Sequence, residues 1–214
     1  ANITTKALSV SGITASSKTY DGSVTATMDG TSAVYSGLVS GDTFTGSYTG
    51  AFSNANVGTG KTVTITSSYS GADAGNYSVT DQSSTTADIS AKALTATASA
   101  SNKTYDGATT ATTTLTFTGL VGSETLGQTV GSTFDNKNVG SNKTVTVNSI
   151  TLADGSNGGL AANYSISAGQ TTTANITAKS LTVSGITASN KTYDGSTNVT
   201  LDASSVAYSG LVSG

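Results

Sequence analysis

The chain has 214 residues with a net charge of −3. Only 10% of them are charged, and cysteine, histidine, tryptophan, proline and arginine are absent. That inventory excludes an imidazole base, a thiolate nucleophile, a cysteine/histidine zinc site and a bidentate guanidinium clamp for phosphate. The nine lysines are scattered, the aromatics are dispersed and no apolar run approaches the roughly 20 residues of a membrane-spanning helix, so neither nucleic acid nor membrane insertion is an expected partner of this segment.

In chain order, the first element is a strand signalled by period-two alternation in Ala7-Leu8-Ser9-Val10. Lys18-Thr19-Tyr20-Asp21-Gly22 follows and reads as a turn: Asp accepts backbone hydrogen bonds, Gly takes positive φ, and the Tyr20 ring is placed for burial. Gly37-Leu38-Val39, Phe52 and the turn Asn56-Val57-Gly58 lead into a second alternating strand, Lys61 to Thr66. The Ala-rich stretch Gly71 to Gly75 supports at most one helical turn before Asn76-Tyr77-Ser78, a strand entry anchored by its tyrosine. Thr85 to Thr95 contains neither glycine nor proline and predicts one strand that leaves a domain and enters the next.

The same series then recurs. Lys-Thr-Tyr-Asp-Gly returns at Lys103, with Tyr105, Asp106 and Gly107, and at Lys191, with Tyr193, Asp194 and Gly195, at spacings of 85 and 88 residues. Gly119 to Val121, Phe134, Asn138 to Gly140, Lys143 to Thr146 and Asn163-Tyr164-Ser165 repeat the remaining landmarks in order, and Gly210 to Val212 begins them a third time. A period this long matches a small domain and exceeds solenoid repeats of 20 to 50 residues. The expected organisation is a repeat over 1–88, a second over 89–175 and the first part of a third over 176–214, each with six to eight short strands. Asp154 to Gly159, present only in the second copy, reads as an exposed turn. The chain starts without methionine on Ala1-Asn2-Ile3-Thr4, which recurs at Ala174 to Thr177, and is expected to be an excerpt of a longer protein.

These motifs resemble the YDG and MBG (mostly β-grasp) modules of very large bacterial surface adhesins, including filamentous-haemagglutinin-like proteins exported by two-partner secretion. The resemblance rests on Lys-x-Tyr-Asp-Gly, on Phe134-Asp135-Asn136-Lys137-Asn138-Val139-Gly140 followed by Lys-Thr-Val-Thr, on Ala-Asn-Tyr-Ser and on Ala-Asn-Ile-Thr-Ala-Lys at the repeat boundary. In the first copy Ala55 stands where the second has Lys137. The resemblance implies a stalk module without catalytic residues or cofactor.

The fold class expected is all-β: tandem β-grasp-like or β-sandwich-like modules in an elongated rod, extracellular or on the cell surface. The absence of cysteine suits an exported chain. Its partners are the neighbouring repeats. An alternative is that the repeats bind glycan or matrix polysaccharide through exposed tyrosines, or one another in fibrils. Four sharper sites compete with structural readings. Calcium at Asp154 to Asn157 lacks converging carboxylates. An isopeptide bond would need Lys18 or Lys103, Asn76 or Asn163, and Asp21 or Asp106 together. Sequons at Asn2, Asn76, Asn102, Asn142, Asn163, Asn175, Asn190 and Asn198 follow from composition. A Thr-x-Thr face over Thr62 to Thr66 suits the solvent side of a strand. No glycosidase-like carboxylate pair is evident.

Overall fold

The structure, a computed structural model, describes residues 1–212. It is all-β, and the two Ala-rich segments form single 3-10 turns, Ala74–Asn76 and Ala161–Asn163. Ten strands lie between Lys6 and Ser90 and eight between Lys92 and Thr177. The first copy exceeds the expected number because four of its strands, such as Thr14–Ala15 paired with Met28–Asp29, are only two residues long, too short to show alternation.

Two compact units are formed: one from Ala1–Thr95, Phe117–Gly127 and Leu152–Ile166, the other from Ala96–Thr116, Gln128–Thr151 and Ser167 onwards. They do not follow the sequence period, since three pieces of the second repeat, its start up to Thr95, Phe117–Gly127 and Leu152–Ile166, belong to the first unit.

In the first unit Lys6–Ser11 is the centre of a three-stranded sheet. It runs antiparallel to Val34–Ser36, with Val10 opposite Tyr35, and parallel to Tyr77–Thr80, with Lys6 opposite Tyr77. A five-stranded sheet is ordered Lys18–Thr19, Ser84–Ser90, Gly58–Ser70, Thr45–Phe52, Thr25–Ala26. Because alternate side chains leave opposite faces, Val63 and Ile65 are buried while Thr62, Thr64 and Thr66 face solvent. One core gathers Leu8, Val10, Ile13, Ile65 and Tyr77. The other joins Tyr20, Phe52, Val63 and Ile89 to Leu94 and Tyr164. Fully burying an aliphatic side chain of this size contributes about 1.5–3 kcal/mol, so a few positions on each strand decide which face turns inward.

In the second unit a four-stranded sheet is ordered Lys103–Thr104, Thr171–Thr177, Gly140–Asp154, Leu126–Phe134, over a core of Phe134, Val145, Ala174 and Ile176. Thr182–Ser184 pairs with Ala207–Ser209 in the register of the first copy, Val183 lying opposite Tyr208 as Val10 lies opposite Tyr35.

The boundary segments are not single strands. Ser84–Ser90 stops at Ala91, Lys92–Ala93 is a separate short strand, and Thr95–Ala100 follows Leu94. The break is a change of partner: Ile89 and Ser90 pair with Lys18 and Thr19, whereas Lys92 and Ala93 pair with Tyr164 and Ser165. The second boundary is likewise divided into Thr171–Thr177 and Thr182–Ser184.

Candidate functional site: the Tyr-Asp-Gly turn and its receiving surface

Each Lys-Thr-Tyr-Asp-Gly copy closes the same turn. Asp21, Asp106 and Asp194 each accept, at 2.9 Å, the N–H two residues on, from Ser23, Ala108 and Ser196. The motif lysine ties the loop together: Lys18 donates to Asp21 at 2.7 Å and to the carbonyls of Ser23 and Thr25, Lys103 to Asp106 and the carbonyls of Ala108 and Thr110, and Lys191 to Asp194 and the carbonyl of Ser196. The ammonium beside each carboxyl holds Asp21, Asp106 and Asp194 below the usual aspartate range. Lys18 and Lys103 also stand 5.6 and 5.7 Å from the ring centres of Phe52 and Phe134. Gly22, Gly107 and Gly195 have φ of +77°, +80° and +72°, the left-handed region that side chains with a Cβ avoid.

The three tyrosines share this turn but not their surroundings. Tyr20 is only 5% exposed. Its ring meets Tyr164 edge to face, 5.4 Å between centres, in the core that holds Leu94. Its hydroxyl donates to Glu124 Oε1 at 2.6 Å, and the Tyr164 hydroxyl donates to Glu124 Oε2, also at 2.6 Å. Burial, reinforced by the Glu124 carboxylate, pushes the Tyr20 hydroxyl up to about 12, and raises that of Tyr164 for the same reasons. Tyr105 is half-buried against the core of Phe134 and Val145. Tyr193 is 93% exposed, and nothing lies within 4 Å of a Cβ built on Gly195, so the turn forms there without a cover for its ring.

Asn76-Tyr77 and Asn163-Tyr164 form the receiving surface. Within each repeat the tyrosine hydroxyl accepts the N–H of the Gly-Leu-Val valine, Val39 at 3.0 Å and Val121 at 2.9 Å, and donates to a carboxylate, Asp42 or Glu124. The two asparagines differ. Asn163 is 1% exposed; its Oδ1 accepts the Val57 N–H at 2.9 Å and its Nδ2 donates to Asn56 at 3.1 Å. Asn76 is exposed. Asn56-Val57-Gly58, read from sequence as a plain turn, is thus the contact that the next repeat's asparagine satisfies. Glu124 and Asp42 were not singled out by sequence, and the motif lysines were read as isopeptide candidates rather than as the ties of the turn. A signal for the acids existed, since each lies five residues after the glycine of Gly-Leu-Val and Glu124 is the chain's only glutamate.

The remaining candidates take the following places in the structure. Of the isopeptide candidates, Lys18 is engaged by Asp21 and Lys103 by Asp106, while Asn163 is engaged by Asn56 and Val57. Asp154 Oδ1 accepts the Ala161 N–H at 2.8 Å, and among the described residues no cluster of three or more metal-binding side chains forms. Asn102, Asn142 and Asn175 sit in a chain of turn hydrogen bonds.

The YDG domain family profile matches the chain three times, over residues 4–87, 90–174 and 177–214. No curated protein and no solved structure matches it significantly.

Proposed function

Because the chain belongs to the YDG domain family, in three successive repeats that span nearly all of it, we propose that it is a non-catalytic spacer of a secreted or surface-anchored bacterial adhesin, acting in cell adhesion or biofilm formation. One observation carries the reading. Residues of two successive repeats meet in one dry core, where Tyr20 and Tyr164 share Glu124 and Asn163 caps Val57. A swinging linker would leave these groups wet, whereas a sealed contact fixes one repeat against the next. The chemical inventory supports a structural task, with no His or Cys and with each motif carboxylate tied to its own lysine.

Small-angle scattering on the chain and on Glu124→Ala tests it. The parent is expected to fit one narrow distribution of interrepeat angles, which the variant broadens. A parent as broad as the variant refutes the spacer reading, and a specific, tyrosine-dependent hit on a glycan array replaces it with a binding role.

A further inference from the structure

Lys143 is the one lysine buried among the described residues, at 9% exposure. It lies on the strand Gly140–Asp154, and its Nζ donates to Asn136 Oδ1 at 2.7 Å and stands 2.8 Å from Asp135 Oδ1. The same Asn136 oxygen accepts the Asn138 N–H at 3.0 Å, so its side-chain carbonyl is polarised from a second direction. A nitrogen nucleophile, a carboxamide carbon, a carboxylate base and a donor for a developing oxyanion therefore meet beside the Asn138-Val139-Gly140 turn.

The first repeat builds the same turn with one part missing. Lys61 Nζ donates to Asn54 Oδ1 at 2.8 Å and the Asn56 N–H donates to that oxygen at 3.0 Å, but Ser53 stands in the place of Asp135 and Lys61 is only half-buried. The turn therefore needs neither the carboxylate nor a buried ammonium. Keeping a lysine charged with its side chain 8% exposed costs desolvation that the first copy avoids, and joining the two side chains removes that charge.

We propose that Lys143 and Asn136 join through an isopeptide bond that the chain forms unaided, with Asp135 as the base. The neighbouring ammonium holds the Asp135 carboxyl below the usual aspartate range, in its basic form. Asp135 takes a proton from the ammonium, and the freed Nζ attacks Asn136 Cγ while the Asn138 N–H holds the oxygen that turns anionic. Asp135 passes that proton to Nδ2, the Cγ–Nδ2 bond breaks and ammonia leaves as the Nζ–Cγ amide is completed. The second proton, shed by Nζ, departs with it as ammonium, and nothing is oxidised or reduced. The bond has to form once per chain, so a slow step is enough. It closes a covalent ring through the turn in a protein that has no cysteine for a disulfide, and it stands apart from the spacer reading.

Mass spectrometry of the whole chain tests it. The intact mass is expected to fall short of the sequence by one ammonia. Lys137 lies between the joined residues, so tryptic cleavage after it should leave the two flanking peptides linked, which a cyclised asparagine would not do. Asp135→Ser, which copies the first repeat, should restore the full mass and release the peptides. A parent of full mass, a deficit without linked peptides, or linked peptides that persist in Asp135→Ser overturns the proposal, and the parent's mass decides the matter even if the variant fails to fold.

Discussion

The hydroxyl of Tyr20 donates to the carboxylate of Glu124, 104 positions further along the chain, at 2.6 Å. The two side chains belong to different repeats, so this bond exists only when a turn from one copy meets the Gly-Leu-Val loop of the next.

Removing the acceptor should cost more than removing one donor. Glu124→Ala leaves the buried hydroxyl of Tyr20 without its acceptor and deprives Tyr164 of its own, and is expected to destabilise by about 2 kcal/mol or more. Tyr20→Phe removes a single hydrogen bond, about 1 kcal/mol. Equilibrium urea unfolding of both singles and the double should return a coupling above about 0.5 kcal/mol. Strict additivity would separate the two residues energetically.

The paired asparagines offer an internal control. Asn163→Ala strands the Val57 N–H and is expected to cost about 1–3 kcal/mol. Asn76→Ala, at an exposed position, should stay within about 0.5 kcal/mol of the parent. Equal effects would mean that Asn163 matters only inside its own repeat.

That contrast also shows how far the sequence could be read. Alternation exposed the strands around Leu8, Val63 and Val145 because each has one buried face, and the repeat exposed the Tyr-Asp-Gly turn in all three copies. Asn76 and Asn163 are the same residue in the same motif, yet one is wet and one is dry, because their environment is set by another repeat. The boundary at Ala91 was illegible for a related reason. A run without Gly or Pro looks like one strand, but where it breaks is decided by the partners that exchange there, Lys18–Thr19 for Tyr164–Ser165.

Gly22 combines two penalties that can be separated. Gly22→Ala forces a Cβ into φ +77° and brings it to 3.0 Å from Val121 Cγ1, for an expected loss of about 1 kcal/mol or more. In a Val121→Ala background the loss should shrink without vanishing. A loss unchanged by that background assigns it wholly to backbone strain.

Alkaline pH should loosen the first unit. Tyr20 and Tyr69 ionise at about 12 in the fold, and Tyr48, Tyr77 and Tyr164 are also shifted upward from 10.0. Above 10 the unfolded chain releases these protons while the folded chain keeps them, so the contribution is whole below about pH 10 and is lost as pH rises toward 12. Denaturation midpoints measured from pH 8 to 12 should fall over that window, less steeply in Tyr20→Phe.

Chymotrypsin should distinguish the third copy. Leu181, Tyr193, Leu201, Tyr208 and Leu211 are all more than half exposed. Limited digestion is expected to cut among them while sparing Tyr20, Phe52 and Tyr164. Protection throughout 181–211 in a monomer would contradict the exposure seen.

The opening strand of the first repeat, Lys6–Ser11, lies beside and parallel to Tyr77–Thr80 near its close, and Lys18–Thr19 is likewise parallel to Ile89 and Ser90 at the boundary with the next repeat. Tension applied between the two ends of the repeat therefore slides parallel neighbours past each other along their length. Every rung of the ladder bears load at once, where an antiparallel hairpin pulled from its open end would unzip one rung at a time. A chain assembled this way resists being drawn out by an amount fixed in its topology, before any single side chain is considered.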